Sequence, residues 1–192
     1  MTIDVEGVSD AALVAYGRIP IAFEVRAVFD VAADHAHNGF RLSERPVAKP
    51  YLKDYDAIAE VPAQWPGRFD TARWGLMVAR IDGQFVGGAA VAYDTPQLHM
   101  LEGRSDLAVL WDIRVHPERR RQGVGAALFR AAEAWALVRR CRQLKVETQN
   151  VNVPACRFYA RYGLVLRAVN RGIYPECPDE VQLLWYKDLA TG

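Results

Sequence analysis

The chain has 192 residues, of which 51% are hydrophobic and 24% charged, a composition typical of a globular protein with one substantial core. Its formal net charge of +1 gives no reason to expect nucleic acid or a membrane surface as a partner. The three cysteines are odd in number and include no C-x-x-C pair, which argues against a disulfide framework and against a zinc site.

These bounds favour a single domain over residues 1–192 in a reducing compartment. No uninterrupted apolar run reaches the ~18 residues that a membrane-spanning helix needs. A cytoplasmic location is therefore the default expectation.

The first third of the chain combines one clear helix signal with a long stretch rich in proline. Residues 10–16 predict a short helix capped by Ser9. Residues 19–31 are rich in β-branched and aromatic side chains and predict the first strand, with a turn into helix after them as the alternative. Residues 35–66 contain an Asn-Gly pair and four prolines, which predict an irregular segment.

A hairpin is predicted next. Residues 73–81 and 84–93 have strand patterns, and the Asp-Gly pair between them favours a tight turn because both residues tolerate positive φ angles. Within the second strand, Gly87 and Gly88 predict a bulge or a close backbone approach. Residues 94–106 are polar and predict a linker.

The central pattern is a strand, a short loop and a helix. Residues 107–115 form an apolar run of strand character that ends at a His-Pro pair, and residues 123–140 have helical periodicity. One stripe of this helix is expected to face the core, and it comprises Val124, Leu128, Ala131, Trp135 and Val138.

The rest of the chain predicts a strand over residues 143–148, a helix over 152–162, and a closing pair of strands over 164–170 and 181–186. Asn152 is a suitable N-cap for the helix, and a glycine follows its end. Strands that bracket helices imply parallel neighbours within a mixed sheet, so the predicted fold class is mixed α/β.

The loop before the central helix has the composition of an anion site. Residues 120–125 read RRQGVG, and glycine lets an anion approach the backbone closely. The first N–H groups of a helix lack intrahelical partners, and the helix dipole adds partial positive charge there. This combination predicts a cradle for a diphosphate. Simple turn chemistry for the glycines and a solvated face for the arginines are the alternatives, whereas the Rossmann fingerprint fits poorly and the P-loop is excluded.

Two blocks of sequence resemble the GCN5-related N-acetyltransferase (GNAT) family. Residues 120–125 are similar to its acetyl-CoA-binding motif, Q/R-x-x-G-x-G/A. Residues 152–163 are similar to its N-x-x-A-x-x-F/L-Y-x-x-x-G-F segment, which here ends in Leu164 where phenylalanine is common. More closely, VETQNVNVPACRFYARYG and the upstream VRAVFDV and GFRLSERPVAKPYLKDYD resemble the streptothricin acetyltransferases, a likeness extending from about residue 23 to residue 186.

The resemblance implies the GNAT fold, in which helices flank a central mixed sheet of six to seven strands. It implies acetyl-CoA as the coenzyme, lying where the central strand splays from the strand that begins near Gln143. It also puts residues 35–66 beside the acceptor, although a surface excursion over the sheet is an equal alternative. The residues it assigns to the coenzyme are Ile113, Arg114, Val115, Arg120, Arg121, Gln122, Gly123, Val124, Gly125, Ala126, Asn152, Ala155 and Tyr159.

Acetyl transfer to an amine requires a route for the amine proton, because an alkyl ammonium with a pKa near ~10.4 is mostly charged at neutral pH. It also benefits from a donor to the departing thiolate. Tyr159 occupies the family's tyrosine position and is the predicted donor. Asp112 and Glu147, on the two strands that flank the proposed gap, are the candidate bases, with a water chain as the alternative. Unless a bulge shifts the register, strand alternation places Asp112 beside Arg114, so an ion pair with an arginine is the alternative to a catalytic role.

The predicted function is acetyl transfer from acetyl-CoA to a primary amine of a small cationic molecule, a streptothricin-like antibiotic or a polyamine, in a ternary complex. Carboxylates and aromatic rings suit such an acceptor, and the candidates are Asp30, Tyr51, Asp54, Tyr55, Trp111 and Tyr174. Acetylation of a protein or peptide amine, and a non-catalytic acyl-CoA sensor, are the alternatives. A homodimer is expected only by analogy with the superfamily.

Overall fold

The structure is a computed structural model that describes residues 1–36 and 38–189. In chain order its strands are β1 Thr2–Gly7, β2 Phe23–Asp34, β3 Gly39–Lys53, β4 Gly75–Ile81, β5 Gln84–Ala92, β6 Leu107–Val115, β7 Gln143–Gln149, β8 Val165–Arg171 and β9 Val181–Asp188. The helices are α1 Asp10–Gly17, α2 Trp65–Arg68, α3 Val124–Val138 and α4 Val153–Arg161. Short 3-10 turns lie at Tyr55–Ala57, Pro62–Gln64, His99–Leu101 and Pro117–Arg119.

Backbone contacts divide the chain into two compact units. The first contains residues 1–21 and 54–144 together with Leu189, and the second contains Ala22–Lys53 and Lys145–Asp188. The expected single domain over residues 1–192 stays a prediction.

The first unit is built on four antiparallel strands in the order β1-β4-β5-β6. Helix α3 packs against β4, β5 and β6. A separate apolar cluster joins α1 and α2 to the sheet, and several of its members are aromatic: Tyr16, Trp65, Phe69 and Trp74. Burial of these large rings supplies much of the hydrophobic stabilisation of this unit.

Helix α3 confirms the predicted strand-loop-helix pattern, but its buried face differs from the predicted stripe. Val124, Leu128 and Trp135 are buried as expected. Ala131 is only half-buried and Val138 is 80% exposed, whereas Phe129, Ala132 and Ala136 are buried instead. Val138 is the last residue of the helix.

The glycine pair in β5 allows two close approaches, as predicted. A Cβ on Gly88 would lie 2.7 Å from the Tyr16 ring, and one on Gly87 would lie 2.9 Å from the Arg114 carbonyl oxygen. The register between β4 and β5 also shifts beside this pair, which is the predicted bulge. The hairpin turn itself has positive φ at Asp82 and Gly83, as an Asp-Gly turn requires.

Two elements of the first third differ from the sequence predictions. Strand β1 was not predicted, although its short sequence, TIDVEG, alternates apolar and polar residues. The strand expected over residues 19–31 is β2, which begins four residues later and continues to Asp34, so the helical alternative is wrong.

The prediction of an irregular segment over residues 35–66 is wrong for residues 39–53, which form β3. This strand pairs with β2 in a two-stranded antiparallel sheet. Their register shifts between Val25 and Ala27, which face Tyr51 and Pro46 respectively. Two of the four prolines that suggested loop structure, Pro46 and Pro50, lie beside this irregularity in β3, where a missing N–H is tolerated.

The second unit contains three sheet strands in the order β7-β9-β8, together with the β2–β3 hairpin and α4. Asn150, after β7, exchanges hydrogen bonds with Phe29 of β2 and Val181 of β9. Helix α4 confirms its predicted signals, since the Asn152 side chain accepts from the Ala155 N–H and Gly163 follows with a φ of 82°.

The mixed α/β class is confirmed, and seven sheet strands lie outside the β2–β3 hairpin, within the six to seven expected. The splay of the central strands stays a prediction. Among the described residues no helix is long and apolar enough to cross a membrane, and no cluster of three or more His, Cys, Asp or Glu could hold a metal ion. The cytoplasmic location, the homodimer and the lack of nucleic-acid or membrane partners also stay predictions.

Candidate functional site

The turn that leads from β6 into α3 has the geometry of an anion cradle. Gly123 is the N-cap of α3 with a φ of 85°, and it has no side chain to cap the first helical N–H groups. A Cβ built on Gly123 meets nothing within 4 Å, so a ligand can approach the backbone at this residue. The turn therefore fits a diphosphate held by backbone amides.

The arginines around this turn have different environments. Arg120 Nε donates to the Val115 carbonyl at 3.1 Å, and its Nη2 donates to the Pro20 carbonyl at 3.1 Å, so this side chain braces the end of β6. Arg121 is exposed and adopts a left-handed backbone with a φ of 64°. Gln122 is also exposed and donates to the Glu118 carbonyl. Arg121 is thus open to solvent, whereas Arg120 is partly buried.

Strand β6 reaches this turn through Ile113, Arg114 and Val115, which pair with residues of β5. The register shifts at Trp111, because Ala90 faces Asp112 and Val91 faces Leu110. Asp112 and Arg114 remain side by side as the alternation predicted.

A buried ionic network surrounds Asp112. Arg114 donates from Nη2 to Asp112 Oδ2 at 2.8 Å and from Nη1 to Asp56 Oδ2 at 2.7 Å, and the Tyr16 hydroxyl donates to Asp112 Oδ1 at 2.9 Å. The Arg114 and Asp112 side chains are only 2% and 8% exposed. Burial raises the pKa of Asp112, although Arg114 and Tyr16 oppose this shift. This geometry corresponds to the ion-pair alternative, and a direct catalytic role of Asp112 stays a prediction.

In the second unit the structure brings together two predicted site residues, Glu147 of β7 and Tyr174 of the loop after β8. The Tyr174 hydroxyl donates to Glu147 Oε1 at 2.6 Å. Gln149 Nε2 donates to the Tyr174 oxygen at 2.8 Å and to Glu147 Oε1 at 3.3 Å. Within the described chain, both hydrogen bonds of Glu147 end on Oε1, which leaves Oε2 able to accept from a ligand.

Helix α4 carries the remaining predicted coenzyme residues. Asn152 caps the helix through the Ala155 N–H at 3.2 Å, and Tyr159 is buried with 4% exposure beside the Phe158 ring. Cys156 lies on the same helix in contact with Thr148, and burial raises the pKa of its thiol to about 11. Cys156 is thus a core residue with little of the reactive thiolate at neutral pH.

The other predicted acceptor residues belong partly to each unit. In the second unit, Asp30 forms an exposed ion pair with Arg45, and burial raises the pKa of the half-exposed Tyr51. In the first unit, Asp54 caps the 3-10 turn that Tyr55 begins, and Trp111 packs against the rings of Phe69 and Trp74.

The sequence analysis missed three polar residues of these networks. Gln149 lies two residues from Glu147, so strand alternation could have placed both on one face. Asp56 and Tyr16 contact β6 from 58 and 96 residues away along the chain, and no local signal indicates such contacts.

The sequence matches the model of the acetyltransferase (GNAT) family over residues 41–164. Streptothricin acetyltransferase of Escherichia coli is 34% identical over 167 residues, which cover 85% of this chain and 84% of that protein. The crystal structure of nourseothricin acetyltransferase superposes with a TM-score of 0.75 over 99% of this chain and 100% of that one, and the two sequences are 26% identical. A putative streptothricin acetyltransferase from Bacillus anthracis in complex with acetyl coenzyme A shares the fold, at 22% identity and a TM-score of 0.77 over 97% and 99% of the two chains.

The chain therefore belongs to the acetyltransferase (GNAT) family. The predictions of a GNAT-family N-acetyltransferase and of acetyl-CoA as its coenzyme are confirmed. The open amide cradle at Gly123 is consistent with the diphosphate of that coenzyme.

Proposed function

We propose that this enzyme transfers the acetyl group of acetyl-CoA to a primary amine of a small cationic molecule, specifically a streptothricin-like antibiotic, within a ternary complex. The single observation that supports a positively charged acceptor is the Glu147 carboxylate, whose Oε2 accepts no hydrogen bond from the described residues. The names of the relatives support the choice of antibiotic. A polyamine is the second cationic candidate.

In the first unit, the chain's role is to bind and orient the coenzyme, which supplies an acetyl group activated as a thioester. The N–H groups from Gly123 to Ala126 bind the diphosphate, and Arg121 adds a positive charge beside them. The backbone of residues 113–115 orients the arm of the coenzyme.

In the second unit, Glu147 holds the acceptor's ammonium group and accepts its proton, because an amine attacks an acyl carbon only when neutral. Tyr174 and Gln149 keep the carboxylate in one orientation through their contacts with Oε1. Glu147 rather than Asp112 is the base, because Arg114 and Tyr16 already donate hydrogen bonds to the Asp112 carboxylate. Tyr159 supplies the proton that a departing thiolate requires.

The test is CoA release, followed by thiol detection, with streptothricin, spermidine and a peptide amine as acceptors. We expect the highest kcat/KM with streptothricin. Preference for the peptide would favour the protein-acetylating alternative, and acetyl-CoA binding without turnover on any amine would favour the sensor.

The same assay tests the role of Glu147. Glu147→Gln keeps the shape of the side chain and removes its charge, so KM for the acceptor should rise by about 10- to 100-fold, since a charged hydrogen bond is worth roughly 1.5–3 kcal/mol. Glu176→Gln, an exposed change in the loop that contains Tyr174, is the matched control. Equal kinetics in the two variants would contradict the assignment.

A further inference from the structure

A lysine, a thiol and a carboxylate meet in the second unit, apart from the residues assigned above. Lys53, the last residue of β3, donates from Nζ to Glu180 Oε1 at 2.6 Å and to Cys177 Sγ at 3.3 Å. The Lys53 and Glu180 side chains are 8% and 11% exposed. The nitrogen is therefore held next to the sulfur by a buried ion pair.

Cys177 is the thiol that an oxidant can reach. It is half-buried in the loop between β8 and β9, whereas Cys141 and Cys156 are fully buried. Burial also raises the pKa of both buried thiols to about 11, which leaves little of the reactive thiolate at neutral pH. Oxidation is thus directed to the one cysteine that has an amine in contact with its sulfur.

We propose that Cys177 and Lys53 form a reversible sulfur–nitrogen cross-link when hydrogen peroxide oxidises the thiol. In the first step, the Cys177 sulfur attacks peroxide, the O–O bond breaks, and sulfenic acid and water form. In the second step, Lys53 Nζ attacks the oxidised sulfur, an S–N bond forms, the S–O bond breaks and a second water leaves. One peroxide accepts the two electrons, and the protein loses two hydrogen atoms.

Glu180 serves the second step as a proton acceptor. The Lys53 ammonium must lose a proton before its nitrogen can attack, and the Glu180 carboxylate oxygen lies 2.6 Å away. The same ion pair keeps Nζ close to the sulfur before oxidation, so the intramolecular reaction competes well with attack by a second peroxide.

The cross-link would tie a loop to the hairpin covalently. Cys177 N–H donates to the Tyr174 carbonyl, and Glu180 N–H donates to the Cys177 carbonyl, so the segment 174–180 is one hydrogen-bonded unit. The loop segment that contains Tyr174 would then be joined to the end of β3 by the S–N bond as well as by the Lys53–Glu180 ion pair. Tyr174 in turn contacts Glu147.

Mass spectrometry of the full chain tests this proposal without measuring acetyl transfer. After treatment with hydrogen peroxide, we expect an intact mass lower by two hydrogen atoms and a proteolytic product that joins the peptides containing Lys53 and Cys177. A thiol reductant should restore the original mass. Oxidation of Cys177 to sulfinic acid with no joined peptide, or no oxidation of Cys177, would overturn the proposal.

Two variants separate the steps. Lys53→Arg keeps a cation for Glu180 but removes the amine, so Cys177 should accumulate sulfenic acid that dimedone traps, with no cross-link. Cys177→Ser should show neither product. A joined peptide in either variant would mean that other residues form the bond and would contradict the assignment.

Discussion

At the scale of single residues, Tyr159 tests the proposed chemistry most directly. Its side chain is 4% exposed on α4, next to Phe158. Removal of the hydroxyl in Tyr159→Phe keeps the ring in place, so any loss of rate reports on the proton. We expect kcat to fall by roughly 10- to 1000-fold, a range that spans general-acid contributions and smaller ones.

The control for this change is Tyr162→Phe, since Tyr162 follows the same helix and contacts the same phenylalanine. It should keep the kcat of the wild type. Steady-state kinetics with saturating acetyl-CoA would compare the two variants, and wild-type turnover in Tyr159→Phe would remove this residue from the mechanism.

Which residues a sequence reveals depends on where their partners lie. Asn152 was predictable as an N-cap because a helix start needs particular residues at fixed positions, and the structure confirms this cap. The contact between Arg114 and Asp56 was not predictable, since Asp56 is 58 residues away along the chain and reaches Arg114 only through the folding of a distant turn.

At the scale of elements, β6 is held by its buried ionic network as well as by its neighbours in the sheet. Arg114 lies between the carboxylates of Asp112 and Asp56, and all three are largely removed from water. Removing one partner of a buried ion pair leaves an uncompensated charge, which costs about 3–5 kcal/mol. Arg114→Met should therefore lower the free energy of unfolding by about that amount in chemical denaturation.

Arg80→Met provides the matched comparison. Arg80 also bridges two carboxylates, Asp4 and Glu6, but its side chain is 33% exposed. Exposed ion pairs contribute about 0–1 kcal/mol each, so this variant should be nearly as stable as the wild type. A similar loss in both variants would mean that burial does not determine the strength of the Arg114 network.

Elements were predictable where their ends carry their own signals. The β4–β5 hairpin has its Asp-Gly turn, and α4 has Asn152 and Gly163 at its ends. Strand β3 has a turn signal at its start, the Asn-Gly pair, but its prolines and mostly exposed side chains argue against a strand. Its strand conformation depends on pairing with β2, a contact between segments that the sequence alone does not reveal.

At the scale of the whole molecule, the residues that the proposal needs are divided between the two units. The turn at Gly123 belongs to the first unit, whereas Glu147 and Tyr159 belong to the second. Neither unit alone therefore contains every residue with a proposed role. The family could be inferred from the sequence because its two motifs are short and local, one in each unit.

Stability of the whole chain should respond to acetyl-CoA through its binding at the Gly123 turn. A ligand at 100 times its Kd stabilises a folded protein by about 2.7 kcal/mol. For a chain of this length, that corresponds to a rise in Tm of roughly 5–10 °C, measurable by calorimetry or fluorescence. Gly123→Glu should abolish most of this rise and increase KM for acetyl-CoA, because the new carboxylate would occupy the open space before the amides and repel the diphosphate.

Backbone strain must be separated from this effect, since any side chain at a φ of 85° is strained and lowers the Tm of the free protein. Gly83→Glu is the control, because Gly83 has a φ of 76° and equally open surroundings in the β4–β5 turn. Both variants should lose comparable stability without ligand, but only Gly83→Glu should keep the full acetyl-CoA shift. An equal shift in the two variants would mean that the coenzyme diphosphate binds elsewhere, although the chain would remain a GNAT acetyltransferase by its sequence.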